Sequence, residues 1–174
     1  DNTTASNNTA VGKSALQVNT TGGNNTAVGK EAARLNTTGG SNTAIGEQSL
    51  EHNTSGTNNT AVGRYALRDN TTANHNTAVG VNALLENETG TQNVAVGNFS
   101  LDANTANNNT AVGYHSLGST TTGTENVGIG GYAGYLNTTG SSSVAVGYTA
   151  LYSNTTGARH AAVGRRALHN NTTG

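Results

Sequence analysis

The sequence predicts an all-β fold, a parallel β-roll or β-solenoid of about ten 17-residue coils. Three observations lead there. One unit, close to Asn-Thr-Ala-Val-Gly-x-x-Ala-Leu-x-x-Asn-Thr-Thr-Gly-x-x, recurs ten times. The glycine after its Val falls at 12, 29, 46, 63, 80, 97, 113, 130, 147 and 164, at intervals of 17 except for one of 16. Each unit opens on a two-residue alternation and closes on turn residues. A fixed period of this length marks a solenoid, whose units bury their apolar side only against the next unit. Residues 1–174 read as a single repeat domain, a segment of a longer fibre.

The first element of each coil is a strand over Thr-Ala-Val. Successive side chains point to opposite faces, so Thr9 and Val11 share a side and Ala10 takes the other. The Val position holds Val11, Val28, Ile45, Val62, Val79, Val96, Val112, Ile129, Val146 and Val163. The Thr position exchanges with Val94, Val127, Val144 and Ala161. That exchange suggests a half-buried site, so the Thr and Val columns are expected inside the coil. The opposite column is small throughout: Ala10, Ala27, Ala44, Ala61, Ala78, Ala95, Ala111, Gly128, Ala145 and Ala162. It is expected to pack closely against sister chains.

A second strand is expected over Ala-Leu. Two units lack the Leu, carrying Ala33 and Gly134, and both have a Leu two residues later, Leu35 and Leu136. In a strand, residues two apart share a face, so each coil would keep one bulky inward aliphatic. The Asn-Thr-Thr-Gly segment is the turn, with Gly supplying positive φ. The 16-residue interval reflects one residue missing around Ala106, in a loop. Stacking in register also aligns two asparagine columns, one running from Asn8 to Asn126 and one from Asn19 to Asn171, as amide ladders.

Composition narrows the function. Asn, Thr and Gly (27, 30 and 24 residues) fill nearly half of the 174, while hydrophobic residues are 32% and charged residues 10%. The apolar content is thin for a lone coil, which favours association of chains. There is no Cys and the formal net charge is −1. This gives no disulfide framework and no basic footprint for nucleic acid. No apolar run is long enough for a membrane span.

Chemistry is sparse. His52, His75, His115, His160 and His169 read as solvated loop residues, and the nine Asp and Glu do not pair as a catalytic dyad needs. The turns lack the Asp of calcium-binding rolls. Gly128-Ile129-Gly130-Gly131 is not followed by Lys-Ser/Thr, so it is no phosphate loop. No enzyme activity, metal or cofactor is expected. The candidate ligand surface is aromatic: Tyr65, Phe99, Tyr114, Tyr132, Tyr135, Tyr148 and Tyr152, with exposed Tyr suited to stacking on sugars or proteins.

The recurring core, best seen in Ser143-Val144-Ala145-Val146-Gly147 and Asn93-Val94-Ala95-Val96-Gly97, resembles the head repeats of trimeric autotransporter adhesins, the YadA-like β-roll. The Asn-Thr-Ala-Val-Gly…Ala-Leu…Asn-Thr-Thr-Gly array is similar to phage-type tail fibres. The 17-residue period departs from the adhesins' shorter coil. The resemblance implies a homotrimer in an extracellular appendage, on a cell surface or virion. Its implied role is that of a structural and adhesive rod facing a host glycan or protein. Two other readings are an ice-binding β-solenoid and a glycan-binding or glycan-cleaving spike.

Overall fold

A computed structural model describes residues 4–174. Asp1, one of the nine acidic residues, lies outside them. The chain is a single parallel β-solenoid. Its strands are Thr9–Val11 (β1), Thr26–Val28 (β2), Thr43–Ile45 (β3), Thr60–Val62 (β4), Thr77–Val79 (β5), Val94–Val96 (β6), Thr110–Val112 (β7), Val127–Ile129 (β8), Val144–Val146 (β9) and Ala161–Val163 (β10). They form one ten-stranded sheet in sequential order. Every pair is parallel and in register, Ala27 opposite Ala44 and Val28 opposite Ile45. At about 4.8 Å per strand, the ten coils rise some 43 Å.

The strand faces are the reverse of the expectation. The Ala column points inward: Ala27, Ala44, Ala61, Ala78, Ala95 and Ala111 are fully buried, Ala145 and Ala162 nearly so, and Gly128 is buried beside them. Only Ala10, in the first coil, is exposed. The Val/Ile column faces outward with the Thr column. Val11, Ile45, Val96, Val112, Ile129 and Val163 are 37–71% exposed, and Val28, Val62, Val79 and Val146 are half-exposed. The small residue is required by the coil's own interior, and no sister chain can touch it. A Cβ on Gly128 would lie 2.8 Å from Leu117 Cγ and 2.6 Å from Ser116 Oγ, both inside.

The second segment is a run of turns, so each coil has one strand only. In the second coil, Ala32, Arg34 and Asn36 donate their amides to the carbonyls of Gly29, Glu31 and Ala33, three overlapping four-residue turns. Glu31 and Ala33, third in the first two turns, sit at φ 59° and 46°, as type II turns require. This alternation of handedness turns two consecutive residues inward, Ala32 and Ala33, which no strand could do. The expected Leu compensation fails for the same reason. Ala33 and Gly134 keep the inner place, while Leu35 is half-buried and Leu136 is 36% exposed. The apolar core divides there, one cluster ending at Leu117 and the next starting at Ala133.

Both asparagine ladders form. In the first, the Asn42 amide N–H donates to Asn25 Oδ1 at 2.9 Å, while Asn42 Nδ2 donates to Gly56 O at 2.8 Å. In the second, Asn53 Nδ2 reaches Asn36 Oδ1 at 2.6 Å and Gly56 O at 3.1 Å, and Asn53 Oδ1 accepts from Asn70 Nδ2 at 2.7 Å. The missing residue lies in the turn as expected. Asn104 bonds Ala106 O two residues on, against three elsewhere. The second ladder breaks just before it, leaving Asn70 Oδ1 and Asn87 Oδ1 unpaired. The turn glycines are not the source of positive φ. Gly22 and its equivalents have no positive φ; a Cβ on Gly22, Gly39 or Gly56 would lie 2.1–2.4 Å from the next coil's carbonyl oxygen, though Ala73 and Ala106 fill the same place in two coils. Positive φ belongs to the glycines after Val, Gly29 at 139° for example.

Asn53→Ala strands the buried Asn36 Oδ1 and is expected to cost about 1–3 kcal/mol. Asn87→Ala strands no acceptor, since Gly90 O also receives Asn76 Nδ2, and should cost distinctly less; paired urea melts measure the difference. Ala78→Leu, overfilling the interior, should lose about 1–3 kcal/mol or more in the same assay.

Candidate functional site

After each Val-Gly, the run of turns projects three side-chain columns: the first, second and fifth residues past the glycine. Stacking gives neighbours in a column the coil spacing, so any two aromatic residues 16 or 17 apart meet. The face they build changes character along the rod.

Over β2 to β4 it is ionic. Lys30 Nζ meets Glu47 at 3.2 Å and Glu31 at 3.8 Å, Arg34 meets the buried Glu51 at 2.8 Å, and Arg64 meets Glu47 at 3.5 Å. The hydrogen bond to Glu47, with the charge of Glu31, holds the Lys30 ammonium above its ordinary range. Arg68 binds Asp69 through two bonds of 2.8 Å, and His52 Nδ1 approaches the same carboxylate at 3.0 Å. Burial pushes the Asp69 carboxyl up, and the Arg68 and His52 interactions outweigh it, leaving it below the usual range. Tyr65 belongs here, under the guanidinium groups of Arg64 and Arg68 at 4.2 and 5.5 Å from its ring centre.

From β6 onward the same columns are aromatic. Phe99, His115 and Tyr132 stack in the second column with centroids 4.8 and 5.5 Å apart and planes within 10°. Tyr135, Tyr152 and His169 stack in the fifth, at 5.6 and 5.2 Å. Tyr114 and Tyr148, in the first column, stand edge-on to Tyr132 at 5.4 and 6.5 Å, and they are the most exposed rings, at 48% and 54%. Six of the seven expected aromatics thus form one contiguous surface, and Tyr65 stands apart. His115 and His169, expected to be solvated loop residues, are rungs of that surface. Burial lowers the His115 pKa, and its Nδ1 has no partner. Burial and Tyr114 raise that of Tyr132.

Asp102 stands in the fifth column, one coil after Glu86 and two turns of the column from Tyr135. Gly118 follows it in the column, and a Cβ there would lie 3.2 Å from both Asp102 Oδ1 and Tyr135 Cε2. Asp102 Oδ1 is buried and unpaired. Burial pushes its pKa up to about 6, and Glu86 adds to the shift.

An open groove of about 410 Å³ lies at the end of this surface, lined by Tyr132, Tyr148, Thr149, Tyr152 and His169. Thr149 is 8% exposed, and its Oγ1 has no hydrogen-bond partner. His169 Nδ1 lies 3.1 Å from Thr149 O. Among the described residues, no three His, Asp or Glu gather to hold a metal, and no helix is long and apolar enough to cross a membrane. No protein-family model, curated protein or solved structure matches the chain.

The Asp102 shift fixes a pH dependence. Its folded pKa, about 6, lies above the ordinary aspartate value of 3.8 that applies to the unfolded chain. The unfolded chain therefore releases this proton first, and the Asp102 contribution to stability falls as pH rises from about 4 to 6. Asp102→Asn should flatten that part of the profile and raise the melting temperature at pH 7, read by circular dichroism.

Proposed function

We propose that this chain is a non-enzymatic structural and adhesive rod, a segment of a cell-surface adhesin or tail fibre, acting outside the cell as a homotrimer. The observation that carries the reading is the outer face of the sheet. Ten parallel strands present a continuous Val/Ile column beside a Thr/Val column, with side chains 37–71% exposed at Val11, Ile45, Val96, Val112, Ile129 and Val163. A contiguous apolar strip of this kind favours burial against a like strip. In-register columns make three copies complementary at every coil. The sister-chain contact therefore falls on the Val side, and the Ala side stays within the coil.

The aromatic surface supplies the adhesive element, a presented face for a host glycan or protein. The regular coil, tied to its neighbours by backbone hydrogen bonds at every step, suits a long, stiff spacer.

One observation favours a second reading, an ice-binding solenoid. The outward pairs Thr9/Val11, Thr26/Val28, Thr43/Ile45, Thr60/Val62 and Thr77/Val79 repeat in register at strand spacing. In the later half the column keeps only Thr110, the other coils carrying Val94, Val127, Val144 and Ala161, which makes that half a poor template for water.

Light scattering is expected to give three times the 17.5 kDa chain mass. Ile45→Lys with Val79→Lys should return the mass to one chain while far-ultraviolet circular dichroism is kept. A wild-type protein at one chain mass overturns the trimer, and thermal hysteresis in its place supports the ice reading.

A further inference from the structure

Charge is spread unevenly along the rod. In the first half each arginine has an acidic partner: Arg34 meets Glu51, Arg64 meets Glu47 and Arg68 meets Asp69. Residues 69–158 then hold Asp69, Glu86, Glu88, Asp102 and Glu125, and no Lys or Arg. Past Glu125 there is no Asp or Glu, and the coil of β10 carries Arg159, Arg165 and Arg166. All three are exposed, with no carboxylate side chain in their own coil or the one before it.

Arg165 and Arg166 are the first and second residues past Gly164. Elsewhere on the rod, side chains at these two places run alongside each other. Arg64 lies 4.2 Å over the Tyr65 ring and donates to its hydroxyl at 2.7 Å, and Tyr114 meets His115 at 4.4 Å. Two guanidinium groups so placed repel each other, and an anion between them removes the repulsion. The ionic zone shows the same answer. There the Glu47 carboxylate lies between Lys30 and Arg64, its neighbours in the first column, at 3.2 and 3.5 Å. The first-column neighbour of Arg165 is no carboxylate but Tyr148, whose ring is 54% exposed. Arg166 donates its amide to the Tyr148 carbonyl at 3.0 Å, so the arginines stand one step, about 4.8 Å, beyond that ring. A paired guanidinium site for an oxyanion thus adjoins an open aromatic ring.

The confinement of the cations to one coil selects among anions. A single-stranded nucleic acid carries a charge at every residue. Laid along the aromatic face, it passes to Asp102 and Glu86 without meeting another Lys or Arg. A ligand with one oxyanion on a neutral body that stacks matches both features. An acidic sugar is such a ligand.

We propose that Arg165, Arg166 and Tyr148 form a site for an acidic sugar, a carboxylated or sulfated residue of a glycan. The two guanidinium groups take the oxyanion, and the Tyr148 ring takes the C–H face of the sugar. The proposal rests on the adhesive reading and deepens it by naming the ligand class.

Wild type, Arg165→Gln, Arg166→Gln, Tyr148→Ala and Arg159→Gln are screened on an array of oligosaccharides offered in carboxylated, sulfated and neutral forms. Hits are titrated by calorimetry, and far-ultraviolet circular dichroism checks the fold. The three arginine variants remove the same charge from exposed positions, so Arg159→Gln reads the effect of net charge alone. Wild type should bind carboxylated or sulfated glycans and not their neutral forms; the form that binds names the oxyanion. Arg165→Gln, Arg166→Gln and Tyr148→Ala should each weaken binding roughly tenfold, and Arg159→Gln far less. Added salt should weaken it as well. Absence of binding to any acidic glycan, equal binding of the neutral forms, an equal loss in Arg159→Gln, or tighter binding of an oligothymidylate overturns the proposal. Light scattering on the same samples separates the two ideas. A trimer that binds no acidic glycan ends the site and leaves the rod; a single chain that binds one through Arg165 and Arg166 keeps the site and ends the trimer.

Discussion

The narrowness of the coil governs the rest of the structure. Each turn of the solenoid encloses room for one leucine, two small residues and two asparagine amides, as Leu84, Ala78, Ala83, Asn76 and Asn87 show in one coil. Nothing larger fits opposite the strand, which is why alanine recurs there and glycine takes over only once. A core this thin gives little apolar burial per residue. The polar groups inside must therefore be bonded, and the asparagines do this by tying each coil to its neighbours. The second ladder opens in the coils before the 16-residue interval, where Asn70 Oδ1 and Asn87 Oδ1 have no partner.

Much of this is legible in the sequence. The period sets the number of coils, the one short interval places the deletion in a turn, and the asparagine columns announce their ladders. The strand's inner and outer faces are not legible. Exchange of threonine for valine at the first strand position points to burial, yet β-branched residues also suit an exposed pleated surface, and Val94 lies on one, half-exposed. The run of turns is hidden for another reason. Its positive φ values fall on Leu16, Glu31, Tyr65 and others, residues that carry no local sign of a left-handed backbone.

The aromatic surface is half visible in the sequence. The late clustering of tyrosines is plain, but two of its members are histidines that look like ordinary loop residues. Counting by the period finds them: Phe99, His115 and Tyr132 are 16 and 17 apart, and Tyr135, Tyr152 and His169 are 17 apart. Tyr65 shows the converse. It shares a column with Phe99, yet its neighbours are arginines, so it joins the ionic zone. One scaffold face thus carries two chemistries, divided along the axis near β5 and β6.

Because the bonds between coils run along the rod, each coil touches only the one before and the one after. Length is then independent of cross-section. Duplicating or excising a whole 17-residue block would leave the strand pairing between the remaining coils the same in kind, lengthening or shortening the solenoid by one step. The number of coils can therefore change without redesigning a core.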